Sequence, residues 1–159
     1  MSEKKFEKWQ VPSMLGPCVC SQLRRTARKV SSIYDKALGV TGLTVTQHSL
    51  LVNIARAEEI GRTALAARLG IDRTTLTRNL KPLERAGFVV PADSSDRRER
   101  LLCLSPEGRR KLRHSYAYWE KAQQEFTSAV GPAALEDLRA ALQAAEEAAA
   151  KALGREHRR

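Results

Sequence analysis

The stretch that decides the fold is 62-RTALAARLGIDRTTLTRNLKPLERAG-87. It contains two short segments with the apolar spacing of helices, separated by a glycine. Gly70 is suited to end the first helix because glycine readily adopts the left-handed conformation found there. Asp72 is suited to cap the second helix, in which leucines recur at helical spacing: Leu76, Leu80 and Leu83. A short helix, a tight turn and a capped second helix together predict a helix-turn-helix.

The second predicted helix has a polar face opposite its leucines. At 3.6 residues per turn, that face carries arginine, lysine and threonine: Thr74, Arg78, Lys81 and Arg85, with Thr77 beside them. Arginine can donate two hydrogen bonds to guanine, and threonine offers a hydroxyl and a methyl group to base edges. The alternative is a solvated face on an ordinary amphipathic helix. In a recognition helix the N-terminal part contacts bases, which selects Arg73, Thr74, Thr75, Thr77 and Arg78, with Lys81 against phosphate.

A β-hairpin is predicted after this helix. Residues 88–90 and 101–104 are short β-favouring runs, and the polar segment 93–98 between them predicts a long charged loop. Three arginines fall within four residues of that loop: Arg97, Arg98 and Arg100. An arginine-bearing wing beside a recognition helix can enter the narrow minor groove, where negative potential is concentrated. The hairpin therefore favours DNA binding over a merely solvated helix face.

The rest of the chain is predicted to be helical. One apolar stripe predicts a first helix over 19–38. The Thr44 and Gln47 pair matches a capping box at the start of a second helix that runs to about residue 57. Ser105-Pro106 is typical of a helix start, and Gly131-Pro132 separates the resulting long helix from a last one. The predicted fold class is mainly α with a small β-hairpin wing.

The charge distribution divides this single predicted domain of residues 1–159 in two. The chain carries a net charge of +10, which points to a polyanionic partner or, alternatively, to a basic surface without one. Residues 62–113 contain 13 basic and 6 acidic side chains, whereas 132–153 contain 2 and 4. We therefore expect a winged helix-turn-helix over about 44–104 to bind DNA. The helical regions at about 19–38 and 105–153 are then expected to form a dimerisation region.

Several other classes of protein are not expected. No apolar run approaches the roughly 18 residues of a membrane span. Residues 1–10 are charged and lack the apolar core of a secretion signal, so we expect a cytoplasmic protein with reduced thiols. The chain lacks a phosphate-binding glycine loop, a nucleophile elbow and a zinc-protease helix. Catalysis, a cofactor and a metal site are therefore not predicted.

The motifs resemble those of the MarR (multiple-antibiotic-resistance regulator) family. Residues 72–89 resemble the family's recognition helix and wing entry, and 96–98 with 104–108 resemble its wing and the start of its long fifth helix. The similarity extends over roughly 23–153. It implies a homodimer whose first, fifth and sixth helices interlock, and whose two winged domains contact double-stranded DNA at a pseudo-palindromic operator. It also implies a repressor that is released by a small phenolic or aromatic acid, or by an oxidant.

The resemblance also implies roles for the loop residues. Arg98 corresponds to the arginine at the wing tip that enters the minor groove. Asp96 would orient it through a charge-assisted contact, and Arg97 would lie near phosphate. Together with Arg100, these residues complete the predicted DNA-binding set.

Two cysteines near the start of the chain leave an alternative open. Cys18 and Cys20 are two residues apart, so they do not face each other on a helix, and alone they make a weak metal site even if Cys103 approaches. Cys20 falls where the hydroperoxide sensors of the family place their reactive cysteine, but Arg24 replaces the tyrosine expected one turn later. The thiols are predicted either to pack as small hydrophobes or to be incidental, and the alternative is a redox switch favoured by nearby arginines.

Overall fold

A computed structural model describes residues 18–92 and 101–156. The described chain contains helices in the predicted order with one antiparallel hairpin, which confirms the fold class. The helices are α1 (Val19–Leu38), α2 (Val45–Ala57), α3 (Arg62–Leu69), α4 (Arg73–Arg85), α5 (Pro106–Val130) and α6 (Pro132–Glu156). The strands are β1 (Val89–Pro91) and β2 (Leu102–Leu104), and a short 3₁₀ turn, Gly39–Thr41, follows α1.

Local capping residues set the helix starts. The side chain of Thr44 accepts a hydrogen bond from the backbone N–H of Gln47, and the Gln47 side chain accepts one from the N–H of Thr44. The side chain of Ser105 accepts from the N–H of Gly108 in the same way. Each contact satisfies a donor that the first helical turn leaves without a partner. Because these contacts are local, the sequence pattern located the helix starts to the residue.

The hairpin differs slightly from the prediction. Val89 pairs with Leu104 and Pro91 with Leu102, so Phe88 and Leu101, which we predicted to belong to the strands, lie outside them. Phe88 is excluded because its N–H donates to the carbonyl of Leu83 instead of to the facing strand, although its carbonyl still accepts from the N–H of Ser105. Leu102 also forms an isolated bridge with Ile60, a contact that the sequence did not predict.

One hydrophobic core holds the middle of the chain together. Among the described residues, thirteen buried hydrophobic side chains form a single cluster that runs from Leu43 to Leu104. The cluster takes leucines from α2, α3 and α4 and residues from both strands. We call α2, α3, α4 and the hairpin the winged module. Its core is closed within one chain.

The outer helices form a second and smaller assembly. We call α1, α5 and α6 the helical base. Its buried hydrophobic cluster in the described chain consists of Tyr34, Leu38 and Ala122, and the Tyr34 hydroxyl donates to Gln123 Oε1 at 2.8 Å. Side chains 18–29 of α1 and 139–153 of α6 are exposed. No helix in the described ranges has the length and apolar character needed to cross a membrane.

Candidate nucleic-acid interface

The two faces of α4 differ as the sequence predicts. The leucines on one face are at most 1% exposed and belong to the core of the winged module: Leu76, Leu80 and Leu83. The opposite side chains are exposed and line one shallow concave surface: Arg73, Thr74, Thr77, Arg78 and Lys81. We call this surface the α4 face. Five of the six DNA-contacting residues predicted on this helix therefore lie together, and their contact with DNA stays a prediction.

The sixth residue, Thr75, takes part in the helix cap. Its hydroxyl donates to Asp72 Oδ2 at 2.7 Å and its backbone N–H donates to Asp72 Oδ1 at 2.8 Å. These bonds, the one from the hydroxyl first, lower the pKa of the Asp72 carboxyl. Thr75 is half-buried. Its hydroxyl therefore fixes the start of α4, which is a structural role that the sequence analysis assigned to Asp72 alone.

The hydroxyl of Thr77 is also engaged within the helix. It donates to the backbone carbonyl of Arg73, four residues earlier, at 2.8 Å. Threonines commonly make this bond inside helices. It fixes the side chain of Thr77, which is exposed on the α4 face. A methyl group there suits contact with a thymine methyl.

The cations of the α4 face keep their charge unneutralised within the described chain. The ion pairs found there are Arg62 with Glu84, at 2.5 Å, and Arg110 with Glu107. Neither includes Arg73, Arg78 or Lys81. A cluster of unpaired cations on a rigid helix attracts a polyanion, because neutralising phosphates releases bound counterions.

Contacts at both ends hold α4 in place. The Arg62–Glu84 pair joins the first residue of α3 to the last turn of α4. Gly70, with a φ of 62°, makes the left-handed turn between the two helices. The helix continues through Pro82, and the N–H of Ala86 donates to the carbonyl of Pro82 at 3.0 Å. The exposed side chains are thus mounted on a fixed support.

The hairpin follows α4 closely. Gly87, with a φ of 70°, turns the chain from α4 towards β1. At the far end of the strands, the N–H of Ala92 donates to the carbonyl of Leu101 at 2.8 Å. The remaining predicted DNA-binding residues fall between Ala92 and Leu101 in the sequence and lie outside the described residues: Asp96, Arg97, Arg98 and Arg100. Their roles stay predictions.

The cysteines are not packed as expected. Cys18 and Cys20 are exposed at the start of α1, and Cys103 is half-buried on β2. The first two thiols therefore do not pack within the described chain, and the expectations of incidental thiols or of a redox switch stay predictions. The Ser21 backbone N–H, followed by its hydroxyl, lowers the pKa of the Cys18 thiol. In the part of the chain that the structure describes, no three His, Cys, Asp or Glu side chains are grouped to hold a metal ion.

Sequence reasoning missed one polar cluster. His48 appeared isolated in the sequence, yet it is 3% exposed and its Nδ1 lies 3.0 Å from the hydroxyl oxygen of Ser115. Its ring stacks on Trp119 with centroids 5.9 Å apart. Burial lowers the pKa of His48 below its ordinary value of 6.5. The partners are 67 residues apart in the chain, so no local pattern could have revealed the contact.

Comparison with known proteins identifies several that are similar to this chain in sequence and in fold. A model of the MarR family matches residues 41–99. The transcriptional regulator MosR of M. tuberculosis, solved in complex with DNA, is 39% identical; the match covers 83% of this chain and 98% of MosR, with a TM-score of 0.70. CouR of Rhodococcus jostii RHA1, solved bound to p-coumaroyl-CoA, is 32% identical over 77% of this chain and 87% of CouR, with a TM-score of 0.65.

A third relative, of lower sequence identity, is also a transcriptional regulator. The helix-turn-helix transcriptional regulator YwoH of Bacillus subtilis is 26% identical over 105 residues, which are 66% of this chain and 77% of YwoH. The family-model match covers α2, α3, α4 and β1, and therefore the α4 face, and it ends before β2. The chain therefore belongs to the MarR family of winged helix-turn-helix transcriptional regulators, and it binds DNA.

Proposed function

We propose that the protein is a cytoplasmic homodimeric repressor that places one α4 in each of two successive major grooves of a pseudo-palindromic operator. The observation that carries this proposal is the α4 face, a surface of threonines and of cations that form no ion pair with the described residues, opposite a leucine core. The relative MosR, solved with DNA, supports this use of the fold. Two-fold protein dimers of this class bind half-sites about one helical turn apart.

The residues of the α4 face have different chemistry towards DNA. Arg78 and Arg73 can each donate two hydrogen bonds to a guanine, and the methyl groups of Thr74 and Thr77 suit thymine. Lys81 is further along the helix, where a single flexible ammonium group suits phosphate. In the wing, Arg98 would enter the minor groove, and Asp96 would orient it. Arg97 and Arg100 would lie by the DNA phosphates. Base contacts then specify the sequence and phosphate contacts fix the register.

The projecting ends of the helical base support the homodimer. Val19 is 67% and Leu23 42% exposed on α1, and Leu142 is 44% exposed on α6. Isolated helical segments of this length are marginal in water and are stabilised by packing an apolar face. The exposed part of α1 carries four cations (Arg24, Arg25, Arg28 and Lys29), whereas the exposed part of α6 is neutral, with Glu146 and Glu147 balanced by Arg139 and Lys151. A second copy can cover both ends at once, with basic α1 near the two glutamates of α6.

We propose a small aromatic acid or its thioester as the effector. CouR, solved with p-coumaroyl-CoA, supports this ligand class. On α5 the rings of Tyr116, 50% exposed, and Trp119 lie 5.7 Å apart beside the winged module. A ligand that binds better to a dimer with differently spaced winged modules shifts the population away from the DNA-binding state. Adding p-coumarate or p-coumaroyl-CoA to the protein–operator complex and measuring operator affinity tests the class directly.

Selection of bound DNA from a random duplex pool tests the main proposal. We expect the recovered sequences to contain an inverted repeat, with a preference of about 10³-fold or more over random duplex. Recovery of sequences without symmetry, or without any preference, would reject the operator-binding dimer in favour of a basic protein that coats nucleic acid. Salt dependence alone does not separate the two, because both release counterions.

A second candidate, thiol-based oxidant sensing, is favoured by the exposure of Cys18 and Cys20 and by the lowered pKa of Cys18. Thiolate is the reactive form. With an organic hydroperoxide, the sulfur takes the terminal peroxide oxygen, the O–O bond breaks, and an alcohol leaves, giving a sulfenic acid that thiols reduce. If this candidate holds, peroxide releases DNA, a reductant restores binding, and Cys20→Ser or Cys18→Ser abolishes the response. A response that persists in both variants rejects it.

A further inference from the structure

The contact between the winged module and the helical base includes a polar stripe on α5. Three residues at four-residue spacing share one side of this helix: Lys111, Ser115 and Trp119. Ser115 and Trp119 contact His48 of α2, and Lys111 contacts two other segments. Hydrogen bonds depend on direction, whereas apolar burial does not. A polar stripe therefore fixes the relative orientation of two bodies more narrowly than apolar packing alone.

Lys111 joins the end of α1 to the entry of the wing. Its ammonium group donates to the backbone carbonyl of Thr41. The same nitrogen lies 5.4 Å from the centroid of the Phe88 ring, within the range of a cation–π contact. Thr41 is itself fixed, since it is 4% exposed and its hydroxyl donates to the carbonyl of Leu38 at 2.7 Å. One half-buried side chain thus connects both bodies.

The backbone of Phe88 is held close to the first turn of α5. Its carbonyl accepts from the N–H of Ser105 at 3.1 Å. A Cβ atom at Gly108 would lie 2.1 Å from the same carbonyl oxygen, so only glycine fits at that approach. Phe88 is three residues beyond Arg85, the end of α4, and immediately precedes β1. A shift of Phe88 relative to α5 therefore changes the position of both DNA-contacting elements.

We propose that Lys111 is a positioning residue that sets the angle of the winged module on the helical base. In the homodimer this angle fixes the distance between the two α4 helices, and so the half-site spacing that the protein accepts. The inference rests on the proposed dimeric function. Lys111 lies outside the α4 face, and its ammonium group is directed to Thr41 and Phe88. Its effect on DNA binding is therefore geometric.

The test uses Lys111→Met, which keeps an unbranched apolar stem, with the exposed Lys121→Met of the same helix as the matched control. The dissociation constant is measured for each protein on the selected inverted repeat, on repeats lengthened or shortened by one and two base pairs, and on a single half-site. For Lys111→Met we expect the preference for the native spacing to fall about tenfold, within the usual range of coupling between sites. Half-site affinity and the Lys121→Met profile should match the wild type.

Three results would overturn the proposal. The first is an unchanged spacing preference in Lys111→Met. The second is a uniform loss on every duplex with a salt slope reduced by about one, which would mark Lys111 as a phosphate contact. The third is a wild-type protein without any spacing preference, which would reject the dimeric function itself and is recognised before any variant is made.

Two further variants guard against misfolding of Lys111→Met. Phe88→Leu removes the aromatic ring but keeps an apolar side chain, and we expect it to broaden the spacing preference in the same way. Lys111→Arg keeps a cation that can donate to the Thr41 carbonyl and lie over the ring, and we expect it to retain the wild-type profile. A narrow preference in a folded Phe88→Leu protein would contradict the proposal independently.

Discussion

The winged module and the helical base are built from similar helices but are stabilised in different ways. Thirteen buried hydrophobic residues among those described close the core of the module. In the base the corresponding cluster is Tyr34, Leu38 and Ala122, while long faces of α1 and α6 remain exposed. Apolar burial is the main favourable term in folding and in association. The comparison therefore indicates that the core of the module is closed within one chain, and the exposed faces of the helical base support the proposed homodimer.

The largest expected effect comes from opening the core of the module. Leu51, on α2, is fully buried, and Leu51→Ala should lower the free energy of unfolding by about 2–5 kcal/mol, since it loses apolar burial and leaves a cavity. Leu142→Ala is the matched change in the helical base. It should raise the dimer dissociation constant, so that it lowers stability at high protein concentration but leaves the unfolding of dilute, monomeric protein nearly unchanged. Urea unfolding at several protein concentrations separates the two, and equal effects would contradict the division.

Removal of a side chain from the α4 face should affect recognition and leave the fold intact. Arg78 is exposed and no carboxylate among the described residues forms an ion pair with it. Arg78→Ala should cost about 1–3 kcal/mol of binding and relax the preference at one base position, if the guanidinium reads a guanine. Binding is measured on a set of single-base operator variants, with the exposed Arg113→Ala on α5 as control. A uniform loss across the set would assign Arg78 to phosphate.

Exchanging charges between the exposed ends of α1 and α6 tests how the helical bases of two subunits contact each other. The double change Arg24→Glu with Arg28→Glu should weaken the dimer about three- to tenfold, because exposed ion pairs each contribute only a fraction of a kcal/mol. Glu146→Lys with Glu147→Lys should do the same. Mixing the two variant chains should restore association in the mixed dimer, as measured by sedimentation. If mixing gives no recovery, the cations of α1 do not face Glu146 and Glu147 of the partner subunit.

The smallest expected effect is a dependence of stability on pH at the contact between the two regions. Burial lowers the pKa of His48 below 6.5, so the unfolded chain takes up a proton before the folded one does. Its contribution to stability is therefore complete above pH 6.5 and is lost as the pH falls through the lowered value. His48→Gln removes this titration. The wild type should lose more unfolding free energy than the variant between pH 7 and 5, and parallel curves would show that His48 does not titrate there.

The sequence predicted those features that depend on neighbouring residues. The caps at Thr44, Asp72 and Ser105 act over three residues, so the helix starts were correct. The α4 face followed from helical periodicity. Pairings between distant segments were missed, because nothing local encodes the contact of His48 with Ser115 or the bridge of Ile60 with Leu102.

Exposure was also harder to predict than secondary structure. Packing was one of the expectations for Cys18 and Cys20, yet both are exposed at the start of α1. Burial depends on which elements meet in three dimensions. The spacing of side chains along one helix gives no information about whether another element covers it.

A footprint of the purified protein on its selected operator tests the central claim most directly. The claim is that the helical bases of two subunits associate, and that the two winged modules they carry place their α4 helices in the same duplex. It predicts two segments of major-groove protection on one face of the DNA, centred about one helical turn apart, which disappear together in Arg78→Ala. A single protected segment, or even protection along the whole duplex, would contradict it.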